Sequence, residues 1–406
     1  MLDRLTRKRT GCRLIQMLAS FVITFAPVCV SSAASGADSS TPVNSGYFGM
    51  HVFSNSLLSP WPPISFGSLR LWDLGVAWAD INKSEGVYNF KGLDSYINLV
   101  SAHGGVDLVY TFGHVPSWAS SRSCLPPSNL QYWTDFVRAI VTHAAGKIKY
   151  WEVWNEPESP QFWCSDMSTL ITLQSQAYGI IKSLDRTAMV LMPSTSGSSG
   201  PSYMTSLLAA GSGRYGDIMS FHGYVNQSGE SIAPYVGAYK SVLSRYGQGS
   251  KPMWDTEAGF PITLDTDHQV AYVAQYHLLQ WPLGVARFYW YGYDSGDVGG
   301  LQSSANRLSS AGVAYREVGK WMSGAVMKAP CAQVNSSGVV WTCSLVRANG
   351  YSALAVWASG TAPQSYSAPS PYTQQRDLTG AVSKIPQNRA VSIGIKPILL
   401  ETGTAF

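Results

Sequence analysis

The chain has 406 residues, enough for one large domain and a small one, and with 13% charged and 12% aromatic residues it is no candidate for general disorder. Its formal net charge is +4, and Arg4, Arg7, Lys8, Arg9 and Arg13 crowd at the start, so the body is nearly neutral and carries no basic stripe for nucleic acid. Fourteen Trp and 22 Tyr suit either ring-shaped polar ligands or a large core, and composition does not choose between them.

The basic start is followed by an apolar stretch at 14–30 and by the small residues Ser31 to Ala37. This is the pattern of a secretory signal peptide over residues 1–37, removed on export to the periplasm or the exterior; the competing reading is an uncleaved membrane anchor, for which the run is short and holds Pro27. Residues 38–45 read as a linker or disordered mature N-terminus. Four cysteines remain beyond the leader: Cys124, Cys164, Cys331 and Cys343. Their even number in an exported chain points to disulfides. The pair Cys331 and Cys343 is favoured because Asn335-Ser336-Ser337-Gly338 makes a turn between them, which leaves Cys124 with Cys164; free buried thiols are the alternative.

From Gly46 onward, short apolar or β-branched runs alternate with helical spacing. Strands are predicted at 47–53, 68–72, 106–112, 148–154, 188–192, 218–222, 252–256 and 285–291. Between them lie helical patterns such as Tyr132, Phe136, Ile140 and Val141, or Val270, Val273, Ala274, His277 and Leu278. Eight such units imply parallel strands with crossover helices, closed as a (β/α)8 TIM barrel over residues 46–322. An open doubly wound sheet is disfavoured by the lack of a Gly-x-Gly-x-x-Gly run after the first strand. After Trp321 the texture changes to short runs at 339–346, 351–357, 376–377, 390–393 and 398–401, a small antiparallel β-domain of sandwich type over 323–406.

Two carboxylates fall where barrel chemistry is placed, at strand C-terminal ends. The fourth strand ends Trp154-Asn155-Glu156-Pro157 and the seventh ends Asp255-Thr256-Glu257-Ala258-Gly259. A pair of carboxyl groups, one protonated and one ionised, is what cleavage of a glycosidic bond requires. No His-Glu-x-x-His, Cys-x-x-Cys or Gly-x-Ser-x-Gly is present, so neither a metal nor a cofactor is expected.

Over residues 46–321 these motifs resemble clan A glycoside hydrolases, and family 39 most closely. The resemblance implies Glu156 as general acid/base and Glu257 as nucleophile. It gives Asn155 to the sugar 2-hydroxyl and Arg70 to the charge of Glu257. It makes Phe221-His222-Gly223-Tyr224 the His-x-Tyr of the clan, with Tyr224 holding the nucleophile. For His222 a core histidine is the alternative. His114, Trp118 and Trp290 are further candidates for sugar contact, with loop or core packing as the alternative, and Trp163 is a rim aromatic for additional subsites. Glu156 is expected among aromatics such as Trp154 or Tyr224 that disfavour its charge; Glu152 is expected to point inward and pair with a cation, and Glu158 to be a solvated loop charge. The implied activity is retaining hydrolysis of a β-linked polysaccharide or oligosaccharide, endo-acting and by a monomer, the alternatives being an exo-acting β-xylosidase-like enzyme and a non-catalytic polysaccharide-binding protein.

Overall fold

A computed structural model describes residues 40–53, 61–225, 228–261, 263–296, 298–304, 306–334, 339–360 and 362–403. The predicted leader and the predicted turn at 335–338 lie outside the described residues. Eight strands form the central sheet: β1 (Phe48–His51), β2 (Ser68–Leu71), β3 (Asp107–Phe112), β4 (Tyr150–Val153), β5 (Met189–Leu191), β6 (Met219–His222), β7 (Met253–Ala258) and β8 (Val285–Tyr291). Every neighbouring pair is parallel, in the order β5-β4-β3-β2-β1-β8-β7-β6. The remaining seam is spanned by parallel bridges Leu191 to Ile218 and Thr195 to Phe221, so the sheet closes as a TIM barrel.

The helices are α1 (Trp78–Ile81), α2 (Lys91–Ala102), α3 (Leu130–His143), α4 (Met167–Leu184), α5 (Gly200–Ala209), α6 (Ile232–Arg245), α7 (Thr266–Gln280) and α8 (Ser310–Met322). On α3 the apolar spacing buries Trp133, Phe136, Val137, Ile140 and Val141, each contributing about 1.5–3 kcal/mol. The helix starts where Asn129 accepts a hydrogen bond from the Gln131 backbone N–H at 2.9 Å. Among the described residues no helix is long and apolar enough to cross a membrane.

The barrel interior is layered. An apolar layer of Val109, Tyr150, Leu191, Ile218, Trp254, Ala286 and Tyr289 fills its middle. Arg287 closes the N-terminal side, paired with Asp107 at 2.5 Å and lying 4.5 Å from the ring centres of both Tyr150 and Trp254. Beyond that layer, toward the strand C-termini, the buried side chains turn polar: Arg70, Thr111, Glu152, Ser220, His222 and Thr256. A polar layer on an apolar plug is what gives the carboxylates a fixed, dry floor.

After α8 the chain builds a six-stranded sheet in the order Ala332–Gln333, Val340–Val346, Ser352–Ala358, Ile398–Glu401, Gln374–Arg376, Val382–Lys384, and a two-stranded sheet of Gln364–Ser367 with Ala390–Ile393. Alternation on Ser352–Ala358 explains how these layers stack. Ala353, Ala355 and Trp357 join the core shared with the barrel, while Val356 and Ala358 join a separate core with Val391 and Ile393. Trp357 also donates its indole N–H to Glu230 at 2.8 Å. The barrel and these sheets therefore make one compact unit.

One expectation fails here. Residues 42 and 43 are not a free linker: Pro42 bridges to Val326, and Val43 is buried, its N–H donating to Ala325 O at 2.9 Å. An apolar residue at the junction finds backbone partners that a solvated tail lacks. Both cysteine pairs are bonded, Cys124 to Cys164 and Cys331 to Cys343.

Candidate active site

Arg70 on β2 is fully buried and spends all three guanidinium nitrogens. Its Nε donates to Glu152 Oε2 at 2.7 Å, one terminal nitrogen to Glu257 Oε2 at 2.6 Å and the other to Asn155 Oδ1 at 2.6 Å. Glu152 also accepts from Thr111 and Thr256 hydroxyls, each at 2.8 Å. Burial alone raises its pKa, but Arg70, His222 and these hydrogen bonds outweigh that and hold it below the usual carboxylate range. Glu152 is thus the buried counter-ion that fixes Arg70, and the expected inward pairing is present.

Glu257 receives a second hydrogen bond, from the Tyr224 hydroxyl to Oε1 at 2.9 Å. The register between β6 and β7 slips by one residue between Phe221 opposite Asp255 and His222 opposite Glu257. This bulge brings His222 level with the carboxylate. Gly223, between His222 and Tyr224, has no room for a Cβ, which would overlap Asp255 Oδ2. His222 Nδ1 lies 2.7 Å from Glu156 Oε1 and Nε2 lies 3.8 Å from Glu257 Oε2. One oxygen of each carboxylate and a ring nitrogen of His222 all lie within 4.8 Å of one another.

Glu156 departs from the expectation. Its partner is an imidazole, because Trp154 is buried with its indole N–H on Phe162 O and Tyr224 serves Glu257. Burial pushes the Glu156 carboxyl up, yet the hydrogen bond and charge of His222, with Ser196 and Arg70, bring it below the ordinary range. His222 itself, which burial would keep neutral, is pushed up to about 8 by Glu257 and Glu156. Glu158 also differs. It is half-buried, accepts from Ser196 N–H at 2.6 Å, and burial raises it to about 7, so it is no freely solvated charge.

The aromatic candidates divide. His114 stays at the rim, its ring 4.4 Å from that of Trp72, with Phe162 6.4 Å away. Trp290 is fully buried against Phe260, His277 and Phe288, with its indole N–H on Gly299 O, so it lines no pocket. Trp118 packs edge-on to Tyr132 and donates to Asn82 O, and Trp163 is buried against Trp154. Their places at the rim are taken by residues the motifs did not flag: Trp72, Asp73 and Tyr291. Tyr291 donates to Asp73 at 3.2 Å and packs against His51.

Positive φ marks the same rim. His114 (53°), Trp154 (80°) and Glu156 (41°) hold left-handed backbone that costs about 1–3 kcal/mol per residue. Such strain persists where surrounding structure imposes it, and here Glu156 N–H is held by Ser194 O at 2.9 Å. A cleft of about 1120 Å³ between the start of α7 and the C-terminal strands lacks this organisation, since its Asp265 and Asp267 are exposed and paired with His268 and Lys396.

No protein-family model matches the chain, and no curated protein matches it in sequence. Solved structures do match in shape. A family 39 glycoside hydrolase from the gut symbiont Bacteroides cellulosilyticus WH2 superposes with a TM-score of 0.70 at 17% identity, over 89% of this chain and 81% of that one. The fold is shared with that family 39 glycoside hydrolase. A monomeric β-xylosidase from Caulobacter crescentus CB15 gives 0.61 at 15% identity over 89% and 97%, and a family 30 subfamily 8 xylanase from Clostridium acetobutylicum gives 0.62 at 15% over 91% and 97%.

Proposed function

We propose that this chain is an exported retaining β-glycosidase, with Glu257 as nucleophile and Glu156 as general acid/base. The observation that carries this reading is the proximity of the two carboxylates, within 4.8 Å at their facing oxygens. Retaining enzymes hold the pair about 5–5.5 Å apart, whereas inverting ones need about 6.5–9.5 Å to admit a water. Arg70 and Tyr224 both hydrogen-bond Glu257, which fixes and aims its carboxyl group.

In the first step a Glu257 oxygen attacks the anomeric carbon, the bond to the leaving oxygen breaks, and that oxygen takes a proton from Glu156. The hydrogen bond to His222 supplies the proton: the Glu156 and His222 pair holds one, and it crosses to the carboxyl as the leaving oxygen draws it. Once Glu257 is an ester its charge is gone, so the chief influence favouring imidazolium at His222 disappears. Glu156 is then a free carboxylate. It accepts a proton from water, which attacks the anomeric carbon and releases Glu257.

Action on a polysaccharide is supported by the rim, where His114 and Phe162, backed by the buried Trp72, form an aromatic wall and Phe53 is 47% exposed. Export is supported by the two disulfides and the leader-like start.

The test is hydrolysis of aryl β-glycosides and β-linked oligosaccharides by the wild type, Glu257→Ala and Glu156→Ala, with anomeric configuration followed by NMR. Expected are retained configuration, loss of activity in Glu257→Ala, and rescue of Glu156→Ala by azide. Inverted product, or a Glu257→Ala variant as active as wild type, contradicts the assignment, and sugar binding without turnover by the wild type favours a binding protein.

A further inference from the structure

If Glu156 faces the leaving oxygen and Glu257 the anomeric carbon, the glycone ring must extend from Glu257 away from Glu156. That direction leads to the wall formed by the ends of β1, β2 and β8. Three polar side chains there take no part in proton transfer or nucleophilic attack: His51, Asp73 and Tyr291.

Asp73 lies two residues beyond β2. Its Oδ2 accepts from the Tyr291 hydroxyl at 3.2 Å and stands 3.1 Å from His51 Nε2. His51 is fully buried, while the Asp73 side chain is 26% exposed. One carboxylate oxygen is therefore tethered and the group still meets solvent. The Tyr291 ring sits 6.4 Å from that of Tyr224, which binds Glu257, so Asp73 stands two aromatic side chains from the nucleophile. Burial raises Asp73, but the hydrogen bond and charge of His51, with Arg70 and Tyr291, hold it below the usual range.

A tethered carboxylate is a pure acceptor and suits sugar hydroxyls, with charge-assisted bonds roughly twice as strong as neutral ones. A sugar bearing its own carboxylate or sulfate would meet it as a like charge. Arg70 offers no relief, since it is fully buried and its charge is already paired with Glu152 and Glu257. We infer that Asp73 is the specificity-determining acceptor of the glycone subsite, binding sugar hydroxyls and restricting that subsite to uncharged sugars. This rests on the glycosidase reading above and names its substrate class.

The experiment compares kcat/KM on p-nitrophenyl β-glucoside, xyloside, galactoside, mannoside and glucuronide for the purified wild type, Asp73→Asn, Tyr291→Phe and Glu257→Gln. The wild type is expected to turn over at least one neutral glycoside and to discriminate against the glucuronide. Asp73→Asn should lower kcat/KM on the neutral substrate by about 10- to 100-fold, mainly through KM, and narrow the discrimination by at least about tenfold. Tyr291→Phe, which keeps the carboxylate but frees its tether, should raise KM and retain the discrimination; this holds the test open if Asp73→Asn folds poorly. The inference is overturned if Asp73→Asn stays within about threefold of wild type, if neutral and uronide rates fall equally, or if the wild type prefers the glucuronide. Turnover by the wild type that is lost in Glu257→Gln upholds the glycosidase reading whatever Asp73 does, and no turnover on these glycosides or on the β-linked oligosaccharides used above takes both readings down.

Discussion

His222 Nδ1 lies 2.7 Å from Glu156 Oε1 while its Nε2 lies 3.8 Å from Glu257 Oε2, so one buried imidazole touches both carboxylates of the pair. Burial opposes the charge on His222, but the two carboxylates raise it to about 8, and in return His222 draws Glu156 below its usual range. On the proposed mechanism the proton needed by the leaving group is present below that value and lost as pH rises through it. The expected kcat/KM profile therefore has a basic limb near pH 8. His222→Asn should reduce kcat by about 10²- to 10⁴-fold and move the limb away from pH 8. An unchanged limb would mean that another group carries the proton.

Arg70 binds three partners from three nitrogens, which a lysine cannot reproduce. Arg70→Lys is expected to fold and to lose about 10²- to 10³-fold in kcat, because Glu257 and Asn155 lose their common orientation. Arg70→Met leaves Glu152 and Glu257 without their shared cation and should cost about 3–5 kcal/mol in urea unfolding. Wild-type kcat in Arg70→Lys would show that the fork is not used.

Asp255 is fully buried on β7, accepts from Gly223 N–H at 2.9 Å, and is raised by burial to about 8. A carboxyl whose folded pKa is raised binds its proton more tightly in the native state. Relative to a neutral isostere, stability is full below the unfolded value near 4 and falls as pH climbs to about 8, by roughly 1.4 kcal/mol per pH unit at most. Asp255→Asn should therefore be more stable than wild type at pH 8 and comparable at pH 4. Parallel stability curves for the two proteins across that range would refute it.

The Cys124 to Cys164 bridge spans 40 residues and joins the loops after β3 and β4, beside the backbone bond from Cys164 N–H to Cys124 O. Loop-closure entropy gives it about 4 kcal/mol, against about 3 for the 12-residue Cys331 to Cys343 loop. Replacing Cys124 and Cys164 by serine should lower thermal stability more than the other double replacement. It should also raise KM, because Phe162 of the rim lies two residues from Cys164. Equal stability losses with unchanged KM would separate the bridge from the site.

The amino-acid sequence by itself determined the eightfold alternation and the strand ends bearing Glu156 and Glu257, because each is a matter of period and spacing along the chain; it only favoured the cysteine pairing, through the turn between Cys331 and Cys343 and by elimination. Arg70, Tyr224 and Asn155 were reachable through motif resemblance. Only the tertiary structure decided which side chains meet. Trp290 and Tyr291 are adjacent on β8, where neighbours face opposite sides of the sheet, and the run Phe288-Tyr289-Trp290-Tyr291 is aromatic on both faces, so its pattern gives no sign of which residue reaches the rim. The helices on the outer face claim Trp290 and the barrel mouth claims Tyr291. The same holds for Glu156: its neighbours in sequence are aromatic, but a left-handed turn at the end of β4 and a bulge between β6 and β7 place His222 against it instead. Local pattern sets the elements, whereas closure of the barrel, which brings residues 66 and 101 positions away within hydrogen-bonding or near-contact distance of Glu156, sets the chemistry.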